Sequence, residues 1–134
     1  LFLQHQLTLS IDMPDAAIRG AINPLWFERA LTNIVVNACR YARTQVRIRI
    51  GREDQYVFVD ISDDGAGIAD ADRERILQPF VRLGEQAAGS QPHFGLGLAI
   101  VVKVMKWHHG RVLVTKCTEL GGARFRLLLP ALEP

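Results

Sequence analysis

The chain has 134 residues, 49% of them hydrophobic, and its 16 Lys and Arg against 14 Asp and Glu leave a formal net charge of +2. That size and apolar content suit one domain with a core of its own, and basic residues scattered except at Arg47, Arg49 and Arg52 argue against a nucleic-acid surface. Cys39 and Cys117 lie far apart without metal-ligand spacing and read as reduced thiols, the first residues lack the charged-then-apolar order of a signal peptide, and no apolar run approaches the ~18 residues of a membrane span.

From the N-terminus, Gln6 to Ile11 and Ala17 to Ile22 alternate apolar and polar residues around Met13-Pro14-Asp15, which predicts a short antiparallel pair. Leu25, Phe27, Leu31, Ile34, Val35 and Ala38 then recur at helical spacing behind Asn23 as N-cap and Pro24 at the first position, so a helix is expected to about Ala42. Val46 to Ile50 and Tyr56 to Ile61 alternate on either side of Asp54-Gln55, a hairpin whose second strand ends at Asp63-Asp64-Gly65-Ala66-Gly67-Ile68. Ala71 to Leu77 predicts a short helix, and Gly84 to Pro92, without periodic apolar residues, predicts a loop. Leu96 to Trp107 is a strongly apolar helix closed by Gly110, and Arg111 to Lys116 and Arg124 to Leu129 form two last strands around Gly121-Gly122.

Two glycine pairs stand out, Gly65 with Gly67 and Gly95 with Gly97, because glycine is costly inside regular structure and useful where backbone approaches a ligand. Asp63 before the first pair is either a local turn cap or a buried acceptor for an exocyclic amine such as that of adenine. The second pair opens a helix, whose first free amides attract anions, unless it serves close packing against a sheet. It lacks the Lys and Ser or Thr of a Walker A loop and the third glycine of a dinucleotide fingerprint. Asn33 and Asn37, one turn apart among apolar neighbours, suit a metal or phosphate site or else bonds to nearby loops. Arg40 and Tyr41 follow within a turn and add a phosphate-pairing charge and a ring. His5, His93, His108 and His109 form no metal constellation or triad, and the adjacent pair suits a helix C-terminus.

The order of an Asn-bearing helix, D-x-G-x-G, a Phe-anchored loop and a glycine-opened helix resembles the ATP-binding catalytic domain of bacterial sensor histidine kinases over almost the whole chain. The family's N box looks like Asn33-Ile34-Val35-Val36-Asn37-Ala38, its first glycine box like Asp63 to Ile68, its F box like Pro79-Phe80-Val81-Arg82, and its second glycine box like Gly95 to Leu98. Arg40-Tyr41, Phe80 to Leu83 and Leu120 to Phe125 further resemble the RstB type. The resemblance implies one domain, residues 1–134, folded as a two-layer α/β sandwich of the Bergerat type with a mixed sheet of about five strands and three helices.

It also implies a site for ATP and Mg²⁺. Asn37 would ligate the metal with Asn33 nearby, Arg40 and Arg82 would contact phosphates, Asp63 would take the adenine amine, and Tyr41 and Ile68 would wall the base. Gly65 and Gly67 complete the base side, Phe80 counts among the cofactor-binding residues as the anchor of its loop, and the backbone of Gly95, Leu96, Gly97 and Leu98 would hold the phosphates. The implied acceptor is a histidine on a separate phosphoacceptor and dimerisation domain, with a response regulator downstream and neither nucleic acid nor direct membrane contact. The domain would be cytoplasmic, in a parent protein of the bacterial inner membrane. His93 stands where the family often has the leading glycine of its second box, a departure that bears on nucleotide affinity. An asparagine at Asn33, where related ATPases carry a glutamate, favours transfer to histidine over hydrolysis, and a nucleotide-sensing module without transferase activity is the other alternative.

Overall fold

The computed structural model describes residues 6–15, 18–79 and 97–132. Its elements in chain order are β1 (Thr8–Asp12), α1 (Pro24–Tyr41), β2 (Gln45–Glu53), β3 (Tyr56–Asp63), α2 (Gly97–Trp107), β4 (Arg111–Lys116) and β5 (Ala123–Pro130). The strands form one sheet in the order β1-β2-β3-β5-β4, parallel between β1 and β2 and antiparallel elsewhere. Both helices pack on one face of it, so the expected α/β sandwich with a mixed five-stranded sheet is the observed architecture.

Helix α1 starts where its cap chemistry allows. The Asn23 side-chain oxygen accepts from the Trp26 amide at 3.2 Å, and Pro24 contributes a preset φ where no amide donor is required. Its Phe27, Ala30, Ile34 and Ala38 share one face and are buried against Val59, Ile61, Phe125 and Leu127 of the sheet and Val101, Val104 and Met105 of α2. Each large side chain so buried contributes about 1.5–3 kcal/mol. The small residues Ala30 and Ala38 let the helix lie close to its neighbours.

Three local expectations change. The N-terminal pair does not form. Thr8–Asp12 instead runs parallel to β2, and of residues 18–22 only Gly20 joins the ladder, as a bridge to Ala131. Alternation marks a strand but not its partner, and the edge of β2 offered one. The stretch Ala71 to Leu77 becomes two 3₁₀ turns, Asp70–Asp72 and Arg75–Leu77. Ion pairs Arg73–Asp70 at 2.7 Å and Arg75–Asp72 at 2.9 Å span three residues, a spacing that the tighter helix brings into line. At the end of α2 the left-handed residue is His109, with φ 60°, and not Gly110. Gly110 is needed for another reason: a Cβ there would collide with the Leu128 carbonyl where β4 meets β5.

The sheet's other face is polar. Arg126 grips the buried Asp60 with two bonds of 2.7 and 2.8 Å and lies over the Phe58 ring, Arg47 pairs with Glu119, and Arg49 with Asp12. Cys39 and Cys117 are free thiols. No described helix is long and apolar enough to cross a membrane.

Candidate nucleotide site

The site begins at the end of β3, where Asp63 is 3% exposed. Its Oδ1 accepts from the Gly65 amide at 2.8 Å and from the Ala123 amide at 3.4 Å. Among the described residues no donor reaches Oδ2, so one lone-pair oxygen of a buried carboxylate remains to accept from a ligand. Burial pushes this carboxyl above its ordinary range, the two backbone amides pull it back, and Asp64 adds repulsion.

Glycines make that turn possible. A Cβ on Gly65 would strike the Tyr41 carbonyl, and one on Gly122 would strike Asp63 and come 2.7 Å from the Gly65 nitrogen. Gly67 takes φ 81°, open to glycine at no steric cost. The last turn of α1, the turn after β3 and the β4–β5 turn are therefore stacked backbone on backbone.

Asp64 points to the neighbouring loop. Its carboxylate accepts from the amides of Arg43 at 2.8 Å, Thr44 at 3.0 Å and Gln45 at 3.2 Å, and from the Thr44 hydroxyl. Those donors, the hydroxyl foremost, hold its carboxyl well below the usual carboxylate range. This clasp ties the end of α1 to the turn after β3.

Along α1, Asn33 and Asn37 are half-buried, as is Arg40, and Tyr41 is 37% exposed. Asn33 Nδ2 donates to the Gly97 carbonyl at 3.4 Å, which places the start of α2 beside the middle of α1. Asn37 has no hydrogen-bond partner and Arg40 no carboxylate partner among the described residues. A continuous line results: Asp63 to Gly65, Gly65 to Tyr41, then back along α1 through Asn37 to Asn33 and across to Gly97 and Leu98. From Asn33 to Tyr41 it covers about 12 Å at the helical rise of 1.5 Å per residue. Ile68, half-buried after the turn, packs on the core beside it. At Gly97 a Cβ would meet no described atom within 4 Å, so packing against the described residues does not explain that glycine.

Of the expected site residues, the structure brings together Asn33, Asn37, Arg40, Tyr41, Asp63, Gly65, Gly67, Ile68, Gly97 and Leu98. Phe80, Arg82, Gly95 and Leu96 lie outside the described residues, as do His93 and the predicted loop Gly84 to Pro92. Thr44 and Gly122 are not among the expected site residues, and Asp64 is expected only as a member of the first glycine box, without a role of its own. A second carboxylate directly after Asp63 was a visible signal for Asp64, whereas nothing local announces that Gly122 meets Asp63 from across the sheet.

The chain belongs to the histidine kinase-, DNA gyrase B-, and HSP90-like ATPases, whose family pattern matches residues 22–133. It is 38% identical over 123 residues to the sensor histidine kinase CpxA of Escherichia coli, an alignment covering 92% of this chain and 27% of that protein. With the E. coli sensor protein RstB it shares 34% identity over 135 residues, 94% of this chain and 31% of RstB. The solved histidine kinase domain of the E. coli osmosensor EnvZ matches with a TM-score of 0.67 at 33% identity, over 94% of this chain and 76% of that one. The chain spans less than a third of either curated relative.

Proposed function

We propose that this domain binds Mg·ATP between α1, the turn after β3 and the start of α2, and that it passes the γ-phosphoryl group to a histidine on a separate phosphoacceptor and dimerisation domain in two-component signalling. The observation that carries this reading is the line from Oδ2 of buried Asp63 to Asn37, neither of which meets a hydrogen-bond partner among the described residues, in a chain whose relatives are sensor histidine kinases. It offers an amine acceptor at one end and neutral oxygen and cationic groups at the other.

Asp63 accepts the exocyclic amine of adenine, and Tyr41 and Ile68 flank the ring. Arg40 and Arg82 pair with phosphate oxygens, and Phe80 anchors the segment that carries Arg82. Backbone amides from Gly95 to Leu98 donate to the same phosphates. Asn37 offers its amide oxygen to Mg²⁺, and Asn33 holds the start of α2 at the site. The fit to that ion is good: Mg²⁺ takes oxygen ligands, needs few from the protein and keeps waters and phosphate oxygens. No cluster of three or more His, Cys, Asp or Glu that could hold a metal by itself occurs among the described residues. When bound, the ion supplies charge neutralisation at the transferring phosphoryl group. The chain's own work is positioning and electrostatic complementarity.

In the parent protein the domain faces the cytoplasm beneath the inner membrane, and the phosphoryl group moves on to a response regulator. Incubating the chain with γ-labelled ATP and a separately made phosphoacceptor domain tests the reading. Label on the acceptor histidine is expected. Free phosphate without acceptor would make the domain a hydrolase, and nucleotide binding with neither product would make it a sensor.

A further inference from the structure

The other end of the same two helices carries a second feature, unconnected with the nucleotide. A cleft of about 660 Å³ opens there between the start of α1 and the end of α2, lined by Ile22, Pro24, Trp26, Trp107, His108 and Leu132 among others. Both tryptophans of the chain stand in it, 40% and 55% exposed, edge to face with centroids 5.4 Å apart. Ile22, Leu25 and Leu132 are exposed beside them. Leaving that much apolar surface in water is unfavourable, and aromatic anchors of this kind dominate protein interfaces.

The cleft is preformed. His108 Nε2 accepts from the Asn23 amide at 2.9 Å, which puts the ring proton on Nδ1, facing the Val104 carbonyl at 2.7 Å. With Asn23 capping α1, this imidazole pins the two helix ends together.

The rim is cationic. Arg29 lies 5.9 Å from the Trp26 ring centroid, Lys106 adjoins Trp107, Lys103 is one turn before it, and Arg19 accepts the Leu132 amide on its carbonyl at 2.8 Å. None of these four pairs with a carboxylate among the described residues, whereas Arg47, Arg49 and Arg126 on the open sheet face all do. Among the described residues no carboxylate lines the cleft.

We propose that this cleft docks a protein segment in which an aliphatic or aromatic anchor is flanked by Asp or Glu. The anchor fills the space between the tryptophans, and the carboxylates meet Arg29 and Lys106. Charge decides the occupant: two copies of this chain placed face to face by a two-fold axis would set those cations against each other. A single-stranded nucleic acid needs free ring faces for stacking. Here Trp26 is engaged by Trp107 and Arg29, the His108 ring is held by Asn23 and Val104, and apart from Asn23 and His109 the remaining walls are aliphatic and proline. Trp26 precedes Asn37 by eleven residues of helix, about 16 Å, so the segment docks without displacing nucleotide.

Because both tryptophans line the cleft, their emission reports its occupancy. Selection of a random-peptide display library on the chain is expected to enrich peptides with acidic residues around Leu, Ile, Phe or Trp. These peptides should shift that emission and bind at least about tenfold more weakly to Trp107→Ser and to the double variant Arg29→Glu/Lys106→Glu, a loss of ~1.4 kcal/mol. The charge variant alters only exposed side chains and guards against misfolding of the first, checked by circular dichroism. No enrichment, enrichment of basic peptides, or equal binding to both variants would overturn the proposal. So would displacement of the peptides by single-stranded oligonucleotides, or a dimer in sedimentation that Trp107→Ser abolishes.

Discussion

At the adenine end of the proposed site, Asp63, Asp64, Gly65 and Gly122 are locked by one another and by backbone amides from three segments, while at the phosphate end Asn37 and Arg40 find no described partner. Folding itself satisfies the first region apart from a single carboxylate oxygen. The second leaves half-buried polar groups that no described residue engages and that remain open to solvent. On the proposed reading the base would dock into a surface already shaped, and the triphosphate with its ion would complete the other half. Substitutions at the two ends should separate accordingly, into effects on stability and effects on ligand.

The largest effect belongs to the locked end. In Gly122→Ala the new methyl group collides with Asp63 and the Gly65 nitrogen, and neither is the free tip of a flexible chain. A loss of about 3 kcal/mol in denaturant unfolding is expected. Stability within ~0.5 kcal/mol of the parent would mean that the stacked turns are loose.

Asp63→Asn breaks the same end differently. Losing a charged acceptor for the adenine amine should weaken ATP by about 2 kcal/mol, roughly thirtyfold in calorimetry. Stability should move the other way. The folded carboxyl holds its proton more tightly than the unfolded chain does, so its contribution is present below the unfolded pKa and is lost as pH rises through the raised folded value. The asparagine variant escapes that loss, so its stability relative to the parent should climb across this window. A variant that binds ATP normally would remove Asp63 from the adenine contact.

At the phosphate end, Asn37→Ala should leave unfolding nearly unchanged, because no described bond depends on it. It should abolish the Mg²⁺ dependence of ATP affinity, an effect of about tenfold, ~1.4 kcal/mol. A preserved magnesium effect would move the ion to other ligands.

How much of this contrast could be read from the chain follows the same division. Periodicity and capping predicted α1, both hairpins and α2, because those signals are local: Asn23, Pro24 and the stripe through Ile34 and Ala38 lie within one element. Motif order picked out Asn33, Asn37 and Asp63. What stayed hidden depends on contacts distant in sequence. β1 alternates alike whether its partner is parallel or antiparallel, and Gly122 reads as an ordinary turn glycine until β5 brings it against Asp63, fifty-nine residues away. Asp64 shows as a second carboxylate, but its donors lie in a loop some twenty residues earlier.

Asp64 offers the smallest and most discriminating test, since a carboxylate only half-buried contributes modestly. Its donors hold the folded carboxyl below the unfolded value, so the clasp stabilises the fold above the unfolded pKa, and that stabilisation is lost as pH falls through the depressed folded value. Asp64→Asn removes the charge but keeps an oxygen for some of the amides. Its stability should fall below the parent's at neutral pH and converge on it in acid, the reverse of the Asp63→Asn trend over the corresponding range. Chemical unfolding of both variants across pH reads the two signs directly. If the two adjacent carboxylates shifted stability in the same direction, Asp63 would not be the strained, ligand-directed acid and Asp64 the satisfied structural one.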